Sequence, residues 1–356
     1  MSKGKLIIIG VAIGVLGLIF VLPKALLYLA GNHKSINSSP QAFYISGNME
    51  LNQLADQLVK EKLIDDVTSF ISVGEYKGLN SQTIAAGKYL IEPGTNYRGL
   101  LNGFTKNANG NGNAEVEVEV TFNNCRDIYQ MAGKVAKCLD VDSTKLVNYM
   151  LSGTTLSKLG FSVEQLPALF IPDSYQMYWD SNEEMFVERM AKEFKNFWTT
   201  ERKNKLSKIG LDTPSQAVTM ASIVYSEQSV NSDEWPIIAG LYLNRVKQGI
   251  RLQSDPTFKF CWGDQLKGVQ RLLEVHRNID CPYNTYKMNG LPPGPICLPS
   301  PKVVDAVLNR ADVDYIYMCA KPDYSGRHNF AVSGAEHMRN ADAFQSWLAA
   351  ELRKKK

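Results

Sequence analysis

Residues 220–257 read MASIVYSEQSVNSDEWPIIAGLYLNRVKQGIRLQSDPT. Just ahead of them, Thr213-Pro214-Ser215 predicts a helix start, with proline in the first turn. Ala217, Met220, Ala221, Ile223 and Val224 then recur at helical spacing. Glu227 follows Ile223 by four residues and Val224 by three, so the spacing sets a carboxylate on the apolar stripe. An ionised carboxylate is costly to bury unpaired, which predicts a raised pKa and a proton held toward neutral pH. A neutral carboxyl in a cleft can act as a general acid. The structural alternative is a buried Glu227 bridged to Arg245 or to a backbone amide.

Working outward, Ser232 is expected to cap a further helix with Ile237, Ile238, Leu241 and Tyr242 on its stripe. Gln253-Ser254-Asp255-Pro256-Thr257 reads as a loop, non-helical at Pro256, that presents short polar side chains. Pro282-Tyr283-Asn284-Thr285-Tyr286 and the run from Gly290 to Pro295 (GLPPGP) predict stiff, well-placed backbone. Tyr175, Trp179, Trp262, Tyr283 and Tyr286 offer flat faces that suit sugar rings, and core packing explains any one of them equally well.

Toward the amino terminus, Leu6 to Leu22 carries no charge, and residues 25–30 (ALLYLA) extend it toward the roughly 20 residues that span a bilayer. Tyr28-Leu29-Ala30 is a poor cleavage site, so an uncleaved anchor over 6–30 is expected behind a tail of residues 1–5. Lysines flank the span on both sides, and charge counting leaves its orientation open. A polar linker over 31–40 leads to a strand at Phe43-Tyr44-Ile45, helices at 51–58 and 70–76, a strand at 87–91 and a short helix at 97–104. Asn107 to Asn113 is a break, and Glu115 to Phe122 alternates as a half-exposed strand before helical spacing from Ile128 to Val135. Ile45, Leu51, Leu54, Ala55 and Leu58 match Phe122, Ile128, Met131, Ala132 and Val135 at a constant offset of 77, either a two-copy strand–turn–helix repeat or chance amphipathicity. Lys145–Leu159 and Met185–Lys208 are expected as single helices, Phe170–Tyr175 as a loop and Asp314–Ala320 as a strand.

The 356 residues are 44% hydrophobic and 21% charged, with net charge +3, which excludes a basic nucleic-acid-binding surface. No Walker loop, GxGxxG, HExxH or CxxC is present, so neither cofactor nor metal is expected. His328 and His337 are candidate ligands, with a hydrogen-bonded structural role the commoner fate. Cys125 with Cys138, and Cys261 with Cys281, are near enough in sequence to pair in an exported domain; free buried thiols are the alternative.

The segments ASIVYSEQ, IAGLYLNRVKQGIRLQSDPT, YNTYKMNGLPPGPIC and AEH, in this order, resemble the MltG/YceG-like family of membrane-anchored endolytic murein transglycosylases. FIPDSY is similar to the family's loop ending in PDTY, with Ser174 in place of Thr. The resemblance implies an α+β protein: a transmembrane helix, a small LysM-like α+β subdomain over 41–113 and a mixed α/β catalytic domain over 114–352. It implies Glu227 as the catalytic residue, at the second Glu of a family stretch like ASIVEKE; the first Glu is Tyr225 here. The family's cleft-lining loops map onto Gln253, Ser254, Asp255, Asn284, Tyr286 and Gly294 as substrate-binding residues. Also implied are peptidoglycan glycan strands as substrate, an inner-membrane anchor with a cytoplasmic amino terminus and periplasmic catalytic domain, and penicillin-binding or other wall-synthesis proteins as partners. A catalytically inert wall-binding scaffold is the rival reading.

Overall fold

The structure is a computed structural model that describes residues 17, 19–266, 269 and 273–354. It is a mixed α+β chain whose residues fall into two compact units. The apolar run 6–22 lies mostly outside the described residues. Residues 19–30 are helical, and Phe20, Val21, Leu26 and Leu29 on that helix are exposed. Among the described residues no helix is long and apolar enough to cross a membrane.

The first unit comprises residues 1–120, 138–141 and 175–182. Its order is β1 (Gln41–Ile45), α1 (Leu51–Lys60), α2 (Val67–Tyr76), β2 (Gly87–Ile91) and α3 (Tyr97–Phe104). β1 and β2 pair antiparallel with Phe43 opposite Tyr89. The alternation that buries Phe43 and Ile45 sends Tyr44 outward, while Leu54, Ala55 and Leu58 face the same core from α1. Asp66 caps α2 by accepting from the Ser69 amide at 2.9 Å. The backbone amides of Asp65 and Asp66 donate to the buried Tyr97 hydroxyl, at 3.4 and 3.1 Å.

The chain continues through β3 (Glu117–Phe122), α4 (Ile128–Val135), α5 (Ser143–Leu151), α6 (Gly153–Leu159) and β4 (Asp173–Tyr178), with β4 paired to β3. Phe122, Ile128, Met131, Ala132 and Val135 are buried, as are their five counterparts from Ile45 to Leu58. Both matched stretches therefore fold as strand then helix with the same positions inside.

Two helices expected to be continuous are broken. Ser152 ends α5 in an extended conformation and caps α6 by accepting from the Thr155 amide. Thr199 does the same between α7 (Glu183–Phe197) and α8 (Thr200–Lys208), where the buried Trp198 precedes it. In both cases a local hydroxyl competes for helix amides, which an apolar period does not reveal. The FIPDSY segment is also corrected, since Asp173–Tyr178 is a strand.

The second unit is built around α9 (Pro214–Glu227), capped by the Thr213 hydroxyl on the Gln216 amide at 3.2 Å. Ser215 and every residue from Ala217 to Val224 are buried, so α9 is enclosed on nearly every face rather than carrying one apolar stripe. α10 (Trp235–Lys247) and α13 (Pro301–Leu308) pack on it, with α11 (Asp255–Trp262) and α12 (Glu274–Arg277) between them in sequence. Ser232 opens a short 3-10 turn, and α10 starts only at Trp235. Pro256 sits inside the first turn of α11, where a missing amide hydrogen costs nothing, so the expected loop there is a helix start. β5 (Tyr317–Ala320) and β6 (His328–Ala331) form an antiparallel hairpin with Ala320 opposite His328. α14 (Gly334–Lys354) packs against both strands.

Candidate active site

Glu227 is the last residue of α9 and opens onto a cleft of about 620 Å³ within the second unit. The walls come from α10, the residues before α11, β5 and α14. One oxygen of Glu227 is fully engaged: Oε1 accepts from the Tyr242 hydroxyl at 2.7 Å and from Ser254 Oγ at 2.5 Å. Oε2 makes no hydrogen bond among the described residues, and a proton on the carboxyl belongs there, facing the cleft. Burial raises the pKa of Glu227. The Ser254 and Tyr242 hydroxyls pull it down, the Asp255 charge pushes it up, and the net direction is upward.

Arg245 does not bridge to Glu227. It is buried and spends its guanidinium on the carbonyls of Arg251 (2.9 Å) and Ile316 (2.9 Å) and on Gln253 Oε1 (2.6 Å). The ion-pair alternative therefore fails, and neutral hydroxyls hold the carboxyl instead. Arg245 also anchors Gln253, whose backbone has φ +53° and whose amide donates to the Thr285 carbonyl at 3.1 Å. A non-glycine residue in that region costs roughly 1–3 kcal/mol and persists where its surroundings dictate it.

Gln253, Asp255 and Tyr286 line the cleft with Glu227. The Tyr286 hydroxyl donates to Asp255 Oδ1 at 2.5 Å, and Arg277 lies 3.8 Å from Asp255 Oδ2. Burial, then the Asp255 carboxylate, push Tyr286 far above the ordinary tyrosine range, so it remains a donor.

Ser254, Asn284 and Gly294 do not reach the cleft surface. Ser254 is fully buried; its amide donates to Thr285 Oγ1 at 3.0 Å, and its carbonyl accepts from Thr257 Oγ1 at 2.7 Å. Asn284 is fully buried and clamps its own loop by donating to the Arg277 and Ile279 carbonyls, both at 2.8 Å. Gly294 is buried against backbone, and a Cβ there would stand 1.8 Å from the Glu164 carbonyl oxygen. In this structure Ser254 holds Glu227, while Asn284 and Gly294 hold backbone.

Cys261 and Cys281 form a disulfide that ties the end of α11 to the Tyr283–Tyr286 loop, while Cys125 and Cys138 are not joined to each other. Tyr225 lies outside the cleft lining, with its ring against Trp235 and its hydroxyl donating to Asn124 at 3.3 Å. His328 and His337 do line the cleft, but no metal-binding cluster occurs among the described residues.

Sequence reading missed the role of Tyr242, placed only on a helix stripe, and the whole of α14. Its cleft residues His337, Ala341, Phe344 and Gln345 do carry the i, i+4, i+7, i+8 signal of a helix face.

A hydroxyl-held, pKa-raised carboxyl in an open cleft, on a mixed α+β scaffold, is the arrangement of a general acid–base site. The model of the YceG-like family matches residues 43–343, and the chain belongs to that family. It is 32% identical over 171 residues to the endolytic murein transglycosylase of Bacillus subtilis (strain 168), covering 47% of this chain and 44% of that protein. It is 27% identical over 182 residues to the endolytic murein transglycosylase of Streptococcus pneumoniae serotype 2 (strain D39 / NCTC 7466), covering 49% and 32%. The matched part thus spans less than half the length of these relatives. The crystal structure of a putative yceG-like protein from Listeria monocytogenes aligns with a TM-score of 0.54 at 22% identity, over 85% of this chain and 99% of that one, a likeness of fold.

Proposed function

We propose that this chain is an endolytic peptidoglycan transglycosylase that cleaves the MurNAc–GlcNAc β-1,4 bond of nascent glycan strands, forms 1,6-anhydro-MurNAc ends and so terminates glycan elongation. The observation that carries this reading is Glu227, with Oε1 saturated by two hydroxyls and Oε2 free toward the cleft. Glu227 gives the Oε2 proton to the glycosidic oxygen as the bond to C1 breaks. The carboxylate left behind is stabilised by the Tyr242 and Ser254 donors. It then takes the proton of the C6 hydroxyl on the same muramoyl residue, whose oxygen bonds to C1. One carboxyl suffices because the nucleophile belongs to the substrate, unlike the paired carboxylates of hydrolytic glycosidases. Asp255 is the other carboxylate at the floor, and its engagement with Tyr286 and Arg277 argues against its activating water. Gln253 and Tyr286 are among the polar groups of the cleft that can orient sugar.

The same reading takes residues 6–30 as a single-pass inner-membrane anchor with a cytoplasmic amino terminus and a periplasmic catalytic domain over 114–352. Its supports are the uncharged run from Leu6 to Leu22 and the Cys261–Cys281 disulfide, which suits an oxidising compartment. It takes residues 41–113 as a LysM-like module, supported by the strand–helix–helix–strand order around the β1–β2 pair, and other wall-synthesis proteins as partners. The test is glycan digestion by the full chain and by Glu227→Gln. Cleavage by the wild type and a loss of at least about 100-fold in the variant is expected. Unchanged cleavage in the variant rules out this site, and glycan binding without cleavage by the wild type favours an inert scaffold.

A further inference from the structure

Glu234, four per cent exposed, sits in the turn that precedes α10 and collects three donors. Gln228 Nε2 donates to its Oε2 at 2.9 Å, the His328 amide to its Oε1 at 3.0 Å, and His328 Nδ1 lies 2.8 Å from Oε2. Burial alone would raise the Glu234 pKa, but these hydrogen bonds outweigh it and hold the carboxyl ionised. An ionised carboxylate accepts only, so Nδ1 of His328 must carry a hydrogen, and in the neutral form of the ring the lone pair is then the one at Nε2. Nε2 makes no hydrogen bond among the described residues and is not a buried orphan, while His328 lines the same cleft as Glu227. The two groups are coupled through the chain itself. Gln228 follows Glu227 directly, and its side chain ties Glu234 to the Gly326 carbonyl at 2.8 Å, two residues ahead of His328.

We propose that His328 is a second catalytic residue of the cleft, oriented by Glu234, whose Nε2 accepts a hydrogen bond from the attacking sugar hydroxyl and aims its oxygen at C1. This rests on the transglycosylase reading above. The hydroxyl's one hydrogen rests on Nε2 while the ring fixes the oxygen, then leaves that hydrogen bond for the Glu227 carboxylate as the oxygen bonds to C1, so His328 ends the step unchanged. An arrangement serving only to fasten β6 would not need an unpartnered nitrogen in the cleft.

The test compares wild type, Glu227→Gln and His328→Ala, each as the full chain, on isolated glycan strands with and without added imidazole. The proposal predicts that His328→Ala lowers kcat about 100-fold with KM within about threefold of wild type, and that imidazole restores part of the rate. A His328→Ala rate within about threefold of wild type overturns it, as does a loss that imidazole leaves untouched. Imidazole-nitrogen NMR of the intact wild type supplies a readout independent of turnover: Nδ1 protonated and Nε2 bare at neutral pH is expected, and a protonated Nε2 contradicts the assignment. A wild type that never cleaves removes the transglycosylase reading and this proposal together. Cleavage that requires Glu227 but not His328 removes this proposal alone.

Discussion

Replacing Glu227 by Gln separates chemistry from stability. The pKa of Glu227 is raised in the folded chain, so the native state binds more protons than the unfolded state above the unfolded pKa. That carboxyl's contribution is fully favourable below the unfolded value and is lost as pH rises through the folded one. An amide keeps an oxygen to accept from Tyr242 and Ser254 without ever ionising. Glu227→Gln should therefore melt higher than wild type at neutral pH, and the two should converge below about pH 4, where unfolded carboxyls also protonate. Equal melting temperatures throughout would mean that Glu227 carries no burial cost. Tyr242→Phe removes a donor that lowers the Glu227 pKa. The alkaline limb of kcat/KM should move to higher pH, while the maximal rate falls by about tenfold or more as the carboxylate loses a hydrogen bond. A limb that stays put would show that another group sets it.

Among the elements, α9 decides the architecture and the disulfide-tied loop completes the site wall. Reducing Cys261–Cys281 reopens a separation of 20 residues between α11 and the loop bearing Tyr286. A destabilisation of about 2–4 kcal/mol is expected, read as a lower melting temperature in reductant. No change in melting would mean that the buried Ser254, Thr257 and Thr285 cluster holds this wall unaided. These elements also show what was legible beforehand. The start of α9 followed from Thr213 and Pro214, the strand read at Phe43-Tyr44-Ile45 lies within Gln41–Ile45, and the strand read over 87–91 is found there. These signals are local. The breaks at Ser152 and Thr199 were hidden because a capping hydroxyl acts through one hydrogen bond rather than through periodicity. The partners of Glu227 were hidden for another reason: Tyr242 and Ser254 stand 15 and 27 residues away, and only packing brings their hydroxyls onto one oxygen. Of the residues marked by the family motifs, Gln253, Asp255 and Tyr286 line the cleft, while Asn284 and Gly294 serve backbone geometry, a distinction that loop composition does not carry.

For the molecule as a whole, the proposed anchor and the proposed chemistry are tested separately. The full chain should sediment with membranes through an alkaline wash, and a chain beginning at residue 31 should remain in the supernatant; co-sedimentation of the shortened form would place membrane affinity elsewhere. The chemistry rests on one claim, that the carboxyl of Glu227 works without a second carboxylate because the substrate supplies its own nucleophile. Mass analysis of glycan fragments released by the full chain tests that claim most directly. The account predicts new ends that are 1,6-anhydro-muramoyl residues, lost in Glu227→Gln. Fragments that carry an added water and no anhydro ends would contradict it.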